Sequence, residues 1–129
     1  MSDSLLRRAI RLDATGVGLL GLIAAAFAGP LANRTGLTPA ELYVTAGAFL
    51  FYGVVGNLLA RRPRVVGIGM GLSAFNFVGT IGAVALVASA ALPLTDAGKT
   101  VVLGCGVYTL VFGVMQFLGV RRATGAAHP

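Results

Sequence analysis

Four apolar runs, each about as long as a membrane is thick, constrain this 129-residue chain more than anything else in it. They cover residues 14–32, 42–60, 65–92 and 100–120. A helix needs roughly 20 residues to cross about 30 Å of hydrocarbon, and every run reaches that length. Backbone groups in lipid have no water to bond, so a spanning segment is either a helix or a strand of a closed barrel. Barrel strands alternate apolar and polar residues, and these runs do not. The expectation is an all-α membrane protein of four transmembrane helices.

Composition agrees. Hydrophobic residues make up 57% and charged residues 11%, against about 25% charged in an ordinary soluble domain. A chain this short leaves a large share of its surface exposed, so lipid has to supply the apolar solvent.

Polar punctuation marks the boundaries. Gly29-Pro30 ends the first run, and Thr38-Pro39 with Glu41 opens the second, placing Pro at the first helical position and an acid in the first turn. Arg61-Arg62-Pro63-Arg64 separates the second and third. Pro93 closes the third, and Thr95 or Asp96 can cap the fourth. Residues 123–129 read as a disordered tail. Ala26-Phe27-Ala28 behind the N-terminal arginines has the look of a secretory cleavage site. Because the apolar run continues past it, an uncleaved first helix is the expectation.

The net charge of +6 comes from nine Arg and one Lys against four acids. The arginines lie in short clusters between apolar runs, which reads as a topology signal and headgroup contact rather than nucleic-acid binding. Arg7, Arg8, Arg11, Arg61, Arg62, Arg64, Arg121 and Arg122 fall at the termini and central loop, while only Arg34 and Lys99 fall in the other two loops. Basic residues stay inside, so both termini are expected in the cytoplasm of a bacterial cell, in its inner membrane.

The second and fourth runs align when Arg61-Arg62 is placed on Arg121-Arg122. Gly53 then meets Gly113 and Leu50 meets Leu110, as a parallel repeat of one hairpin would have it. Chance alignment of Gly- and Val-rich helices is the alternative. Small residues recur at Gly21, Ala25 and Gly29, and at Gly67, Gly71, Gly79 and Ala83, spacings that let helices approach closely. A homo-oligomer or a larger membrane complex is expected.

Polar residues inside the runs are few. Ser73, Asn76 and Thr80 share one face of the third, and Asn57 and Gln116 lie a turn or so before their terminal arginines. Asp13 is placed at the edge of the first run, at the basic end. Asp13, Asn57, Ser73, Asn76, Thr80 and Gln116 are therefore the candidate lining of a polar pocket. Hydrogen-bonded glue between helices is the plainer alternative. On this placement no ionisable group lies in the central half of a span, which argues against charged-substrate chemistry. No catalytic residue, cofactor or metal site is expected: Ser73 and Thr80 have no base beside them, the single Cys105 excludes a redox pair, and the single His128 is next to the C-terminus.

Arg11-Leu12-Asp13-Ala14, Gly29-Pro30-Leu31, Leu37, Gly47-Ala48-Phe49-Leu50, Asn76 and the ending Gln116 … Gly119-Val120-Arg121-Arg122 together resemble the small four-helix integral membrane proteins of actinobacteria. That resemblance implies an inner-membrane location and carries no activity with it. It also puts Asp13, Asn76 and Gln116 at the family's polar positions. The functional expectation is a non-enzymatic membrane protein that binds lipid or a small amphipathic ligand, or scaffolds a complex. A small uniporter or channel for an uncharged solute is the alternative.

Overall fold

The structure, a computed structural model, describes residues 3–125. It is all-helical, with α1 (Ser4–Ala26), α2 (Ala28–Thr35), α3 (Pro39–Leu59), α4 (Val66–Ser89) and α5 (Asp96–Gly125). Four of these, all but α2, are long and apolar enough to cross a membrane, the architecture of a multi-pass membrane protein.

The first helix departs from the expected bounds of 14–32. It starts ten residues earlier, at Ser4, and stops at Ala26. Leu6, Ala9, Ile10, Asp13 and Ala14 are buried while Arg8, Arg11 and Leu12 are exposed. That is a helical stripe of period 3.6, running straight through the arginines. Arg7 stays in the helix because its guanidinium finds partners there. It donates to Asp3 Oδ2 at 2.8 and 3.0 Å and to the carbonyls of Ala60, Arg62 and Pro63 at 2.8 to 3.1 Å. The central loop is thus clasped to the start of α1, and the guanidinium holds the Asp3 carboxyl below the usual carboxylate range.

At Phe27 the chain leaves helical geometry and α2 begins at once, with Pro30 in its first turn, where proline's missing N–H does no harm. Gly36 ends α2 at φ 84°, a left-handed conformation that glycine takes without strain. A Cβ there would also strike the Pro93 carbonyl. Thr38 caps α3, its hydroxyl accepting from the Glu41 N–H at 3.1 Å. Thr95 does the same for α5 through the Gly98 N–H at 3.0 Å. The last helix extends past its arginines to Gly125. Residues 123–125 of the expected tail are therefore helical, and 126–129 lie outside the described residues.

The molecule is two antiparallel hairpins. α1 lies against α3 and α4 against α5, with α1 and α4 running in the same direction. Glycine sets how close the hairpins close: a Cβ on Gly53 would come 2.9 Å from Gly18 Cα, and one on Gly113 would come 3.1 Å from the Phe77 ring. Leu6 reaches across to Gly69 and Gly119, joining the hairpins at the basic end. There Leu6, Ile10, Ala60, Val65 and Val120 form the apolar core. Two-fold symmetry between the hairpins is incomplete. α1 packs closely on α5, whereas α3 and α4 stand apart and approach through the stacked rings of Tyr52 and Phe75, 5.9 Å between centroids.

Elsewhere the bundle is apolar outside and small or polar inside. Large side chains such as Val44, Phe51, Val78 and Ile81 are exposed, while the buried residues of α4 are Gly69, Ser73 and Asn76. This suits lipid as solvent, where close packing and interhelical hydrogen bonds hold helices together. The small-residue stripes expected from spacing are used only in part. Gly21 packs against the α3 backbone, but a Cβ on Gly29, Gly67 or Gly71 would meet nothing.

Candidate ligand site around Asp13

Because α1 begins at Ser4, Asp13 stands nine positions inside one end of the helix and thirteen from the other. It lies six residues beyond Arg7, about 9 Å deeper at 1.5 Å per residue. This corrects the placement of Asp13 at the edge of a span: an acid sits within the central half of α1. Its relative exposure is 0%.

Every other membrane-length helix sends a polar side chain to it. Tyr52 from α3 donates its hydroxyl to Asp13 Oδ2 at 2.6 Å. Asn76 from α4 donates through Nδ2 at 2.9 Å, and Gln116 from α5 through Nε2 at 2.8 Å, to the same oxygen. Asn76 Nδ2 also donates to Gln116 Oε1 at 2.9 Å, which orients both amides. Tyr108 from α5 donates to the Asp13 backbone carbonyl at 2.8 Å. Three donors converge on Oδ2. Oδ1 has none, and it is the one buried side-chain polar atom without a partner among the described residues.

This asymmetry matters energetically. A carboxylate only accepts hydrogen bonds, and a buried charge is costly unless it is paired. Three neutral donors offset part of that cost. No cationic side chain offsets the rest: the single ion pair among the described residues is Arg7 with Asp3. A protonated Asp13 would leave either a bare donor or a bare acceptor on Oδ1. In either state the cluster is one partner short.

Beside it is a cavity of about 190 Å³ among the same four helices. Tyr52, Asn76 and Tyr108, all partners of Asp13, line it, whereas Asp13 itself does not. Val17, Leu20, Ala48, Phe49, Phe75 and Cys105 form the apolar remainder, joined by Thr109. Leu20, Ala48 and Phe75 are exposed, so the cavity opens on the side of the bundle that faces lipid. No arginine or lysine lines it.

The six residues singled out from sequence divide into two groups. Asp13, Asn76 and Gln116 meet. Ser73 bonds the Gly113 carbonyl at 2.7 Å, and Thr80 bonds the Gly106 carbonyl at 3.0 Å and the Thr109 hydroxyl at 2.8 Å. These bonds tie α4 to α5 and leave no free hydroxyl donor. Asn57 lies away from the cluster, bonded to the Gly53 carbonyl and the Thr15 hydroxyl, on a groove between α1 and α3. Tyr52 and Tyr108, noticeable in the sequence only as polar-tipped residues within the runs, are the two site residues left out of the pocket expected from it. No period or motif marks them, since a tyrosine in an apolar run is indistinguishable from a packing aromatic until its hydroxyl is located. No family description, curated protein or solved structure matches the chain.

Proposed function

We propose that this is a non-enzymatic protein of the bacterial inner membrane that binds a lipid or small amphipathic molecule in the cavity beside Asp13. The cavity carries the reading: it opens toward lipid, and three of its lining residues, Tyr52, Asn76 and Tyr108, bond a buried Asp13 that lies outside its wall. Apolar walls with a few convergent polar groups are what such sites usually look like. At about 190 Å³, against roughly 300–1,000 Å³ for sites that enclose a drug-sized ligand, the cavity takes one end of an amphiphile and leaves the rest in the bilayer. A channel for uncharged solutes has less support, because Ser73, Thr80 and Thr109 give their hydroxyls to neighbouring backbone and to one another.

Both termini and the Arg61–Arg64 loop are assigned to the cytoplasm by the excess of arginine at that end. The site then lies nearer the cytoplasmic face. Assembly into a homo-oligomer or larger membrane complex is part of the same reading.

Native mass spectrometry of the gently solubilised protein tests both. The wild type is expected to retain a bound molecule on an oligomer. Ala48→Phe, which fills the cavity from α3, is expected to release that molecule and leave the assembly unchanged. A wild type free of any bound molecule would sink the binding reading.

A further inference from the structure

Resting on that reading, we infer that the head group taken by the cavity is a cation, an ammonium carried by an amphiphile, and that Asp13 is its counter-charge. Two independent features point this way. The first is electrostatic. Asp13 has no basic partner, and its one bare atom is an acceptor. An intramembrane acid is normally balanced by a partner of opposite charge, and none of the described side chains provides one. The second is the cavity wall. Phe49, Tyr52, Phe75 and Tyr108 bring four aromatic rings to one small space. Aromatic faces are negative, and cages of them are a known way to hold ammonium groups.

The tyrosines connect the two features. Tyr52 donates its hydroxyl hydrogen bond to the Asp13 carboxylate and Tyr108 donates its own to the Asp13 carbonyl. Each phenol oxygen is thereby left with lone pairs and no proton to offer, while its ring borders the cavity. A cation placed there stands among four aromatic side chains, with the Asp13 carboxylate behind Tyr52, Asn76 and Tyr108. An anion meets no free N–H or O–H donor: both N–H bonds of Asn76 Nδ2 are committed, and no arginine or lysine lines the wall. The same geometry therefore selects against phosphate and carboxylate heads. A neutral head of the same size would fill the space without the charge term.

Isothermal titration of the purified protein in maltoside micelles with choline chloride tests this. The comparison is 3,3-dimethyl-1-butanol, which replaces the nitrogen by carbon at nearly the same volume. Choline is expected to bind saturably, and the alcohol at least about tenfold more weakly, a difference of 1.4 kcal/mol. Asp13→Asn is expected to remove that preference. Should Asp13→Asn fail to fold, Phe75→Leu keeps the carboxylate and removes a ring face, and it is expected to weaken choline several-fold with little change for the alcohol. Asn57→Ala, outside the cavity, is expected to change neither.

Equal affinity for choline and the alcohol would overturn the inference, even if a neutral amphiphile is still found bound. That result would leave the broader binding reading standing. Absence of any bound molecule in native mass spectrometry would instead remove the broader reading. The source of the ammonium is read by offering phosphatidylethanolamine and phosphatidylglycerol in equal amounts. Selective retention of the ethanolamine lipid supports an amphiphile, and selective choline binding without lipid preference overturns the amphiphile in favour of a free cation.

Discussion

At the scale of single residues, Gln116 shows how the cluster contributes to stability as well as to binding. Its amide donates to a buried carboxylate and is itself oriented by Asn76. Hydrogen bonds to charged groups contribute about 1.5–3 kcal/mol. Gln116→Leu keeps the volume, removes one of three donors to Oδ2 and leaves Asn76 short of an acceptor. The expected loss is about 2 kcal/mol, measured by denaturant titration in micelles with helicity as the signal. Asn57→Ala is expected to cost less, since Asn57 is bonded mainly within its own helix. Asn76 and Gln116 were legible in the sequence because an amide stands out in an apolar run. The depth of Asp13 was not. Arg7, Arg8 and Arg11 read as water-exposed chain, yet one is clasped to the central loop and the others sit on the outer face of a helix. Long basic side chains reach the interface from within a span, so the arginines marked a membrane side without marking where the helix begins.

At the scale of helices, close approach is carried by particular glycines. A Cβ on Gly53 would stand 2.9 Å from Gly18 Cα and 3.0 Å from the Ala14 carbonyl, both backbone atoms that cannot turn aside. Gly53→Val is therefore expected to force α1 and α3 apart, destabilising by about 1–3 kcal/mol and disturbing the Tyr52–Asp13 bond one residue away. Gly67→Ala and Gly71→Ala meet open space and are expected to stay within about 0.5 kcal/mol of wild type. Thermal unfolding of the three variants in one detergent separates the cases. The spacing Gly67-x-x-x-Gly71 and the pair Gly18 with Gly53 are equally glycine-rich in the sequence. Only the rotation of each helix about its axis decides which faces a neighbour, and nearly uniform apolar runs leave that rotation unmarked. The four long runs themselves were plain, because length and hydropathy alone establish them.

At the scale of the molecule, the direction of the bundle in the membrane is the expectation with the widest consequences. In a Cys105→Ala background, a cysteine replacing Leu94 is expected to react with an impermeant maleimide on intact cells. One replacing Pro63 is expected to react only after the membrane is opened; the reverse pattern would invert the topology and move the site to the outer half. Cys105 is also worth leaving in place. It is the sole cysteine of the chain, half-buried on the wall of the cavity beside Tyr108 and Thr109. Nature has thereby put a single thiol at the point where an occupant would shield it. The unmodified protein carries its own occupancy gauge, readable as the rate at which a small uncharged mercurial consumes one thiol.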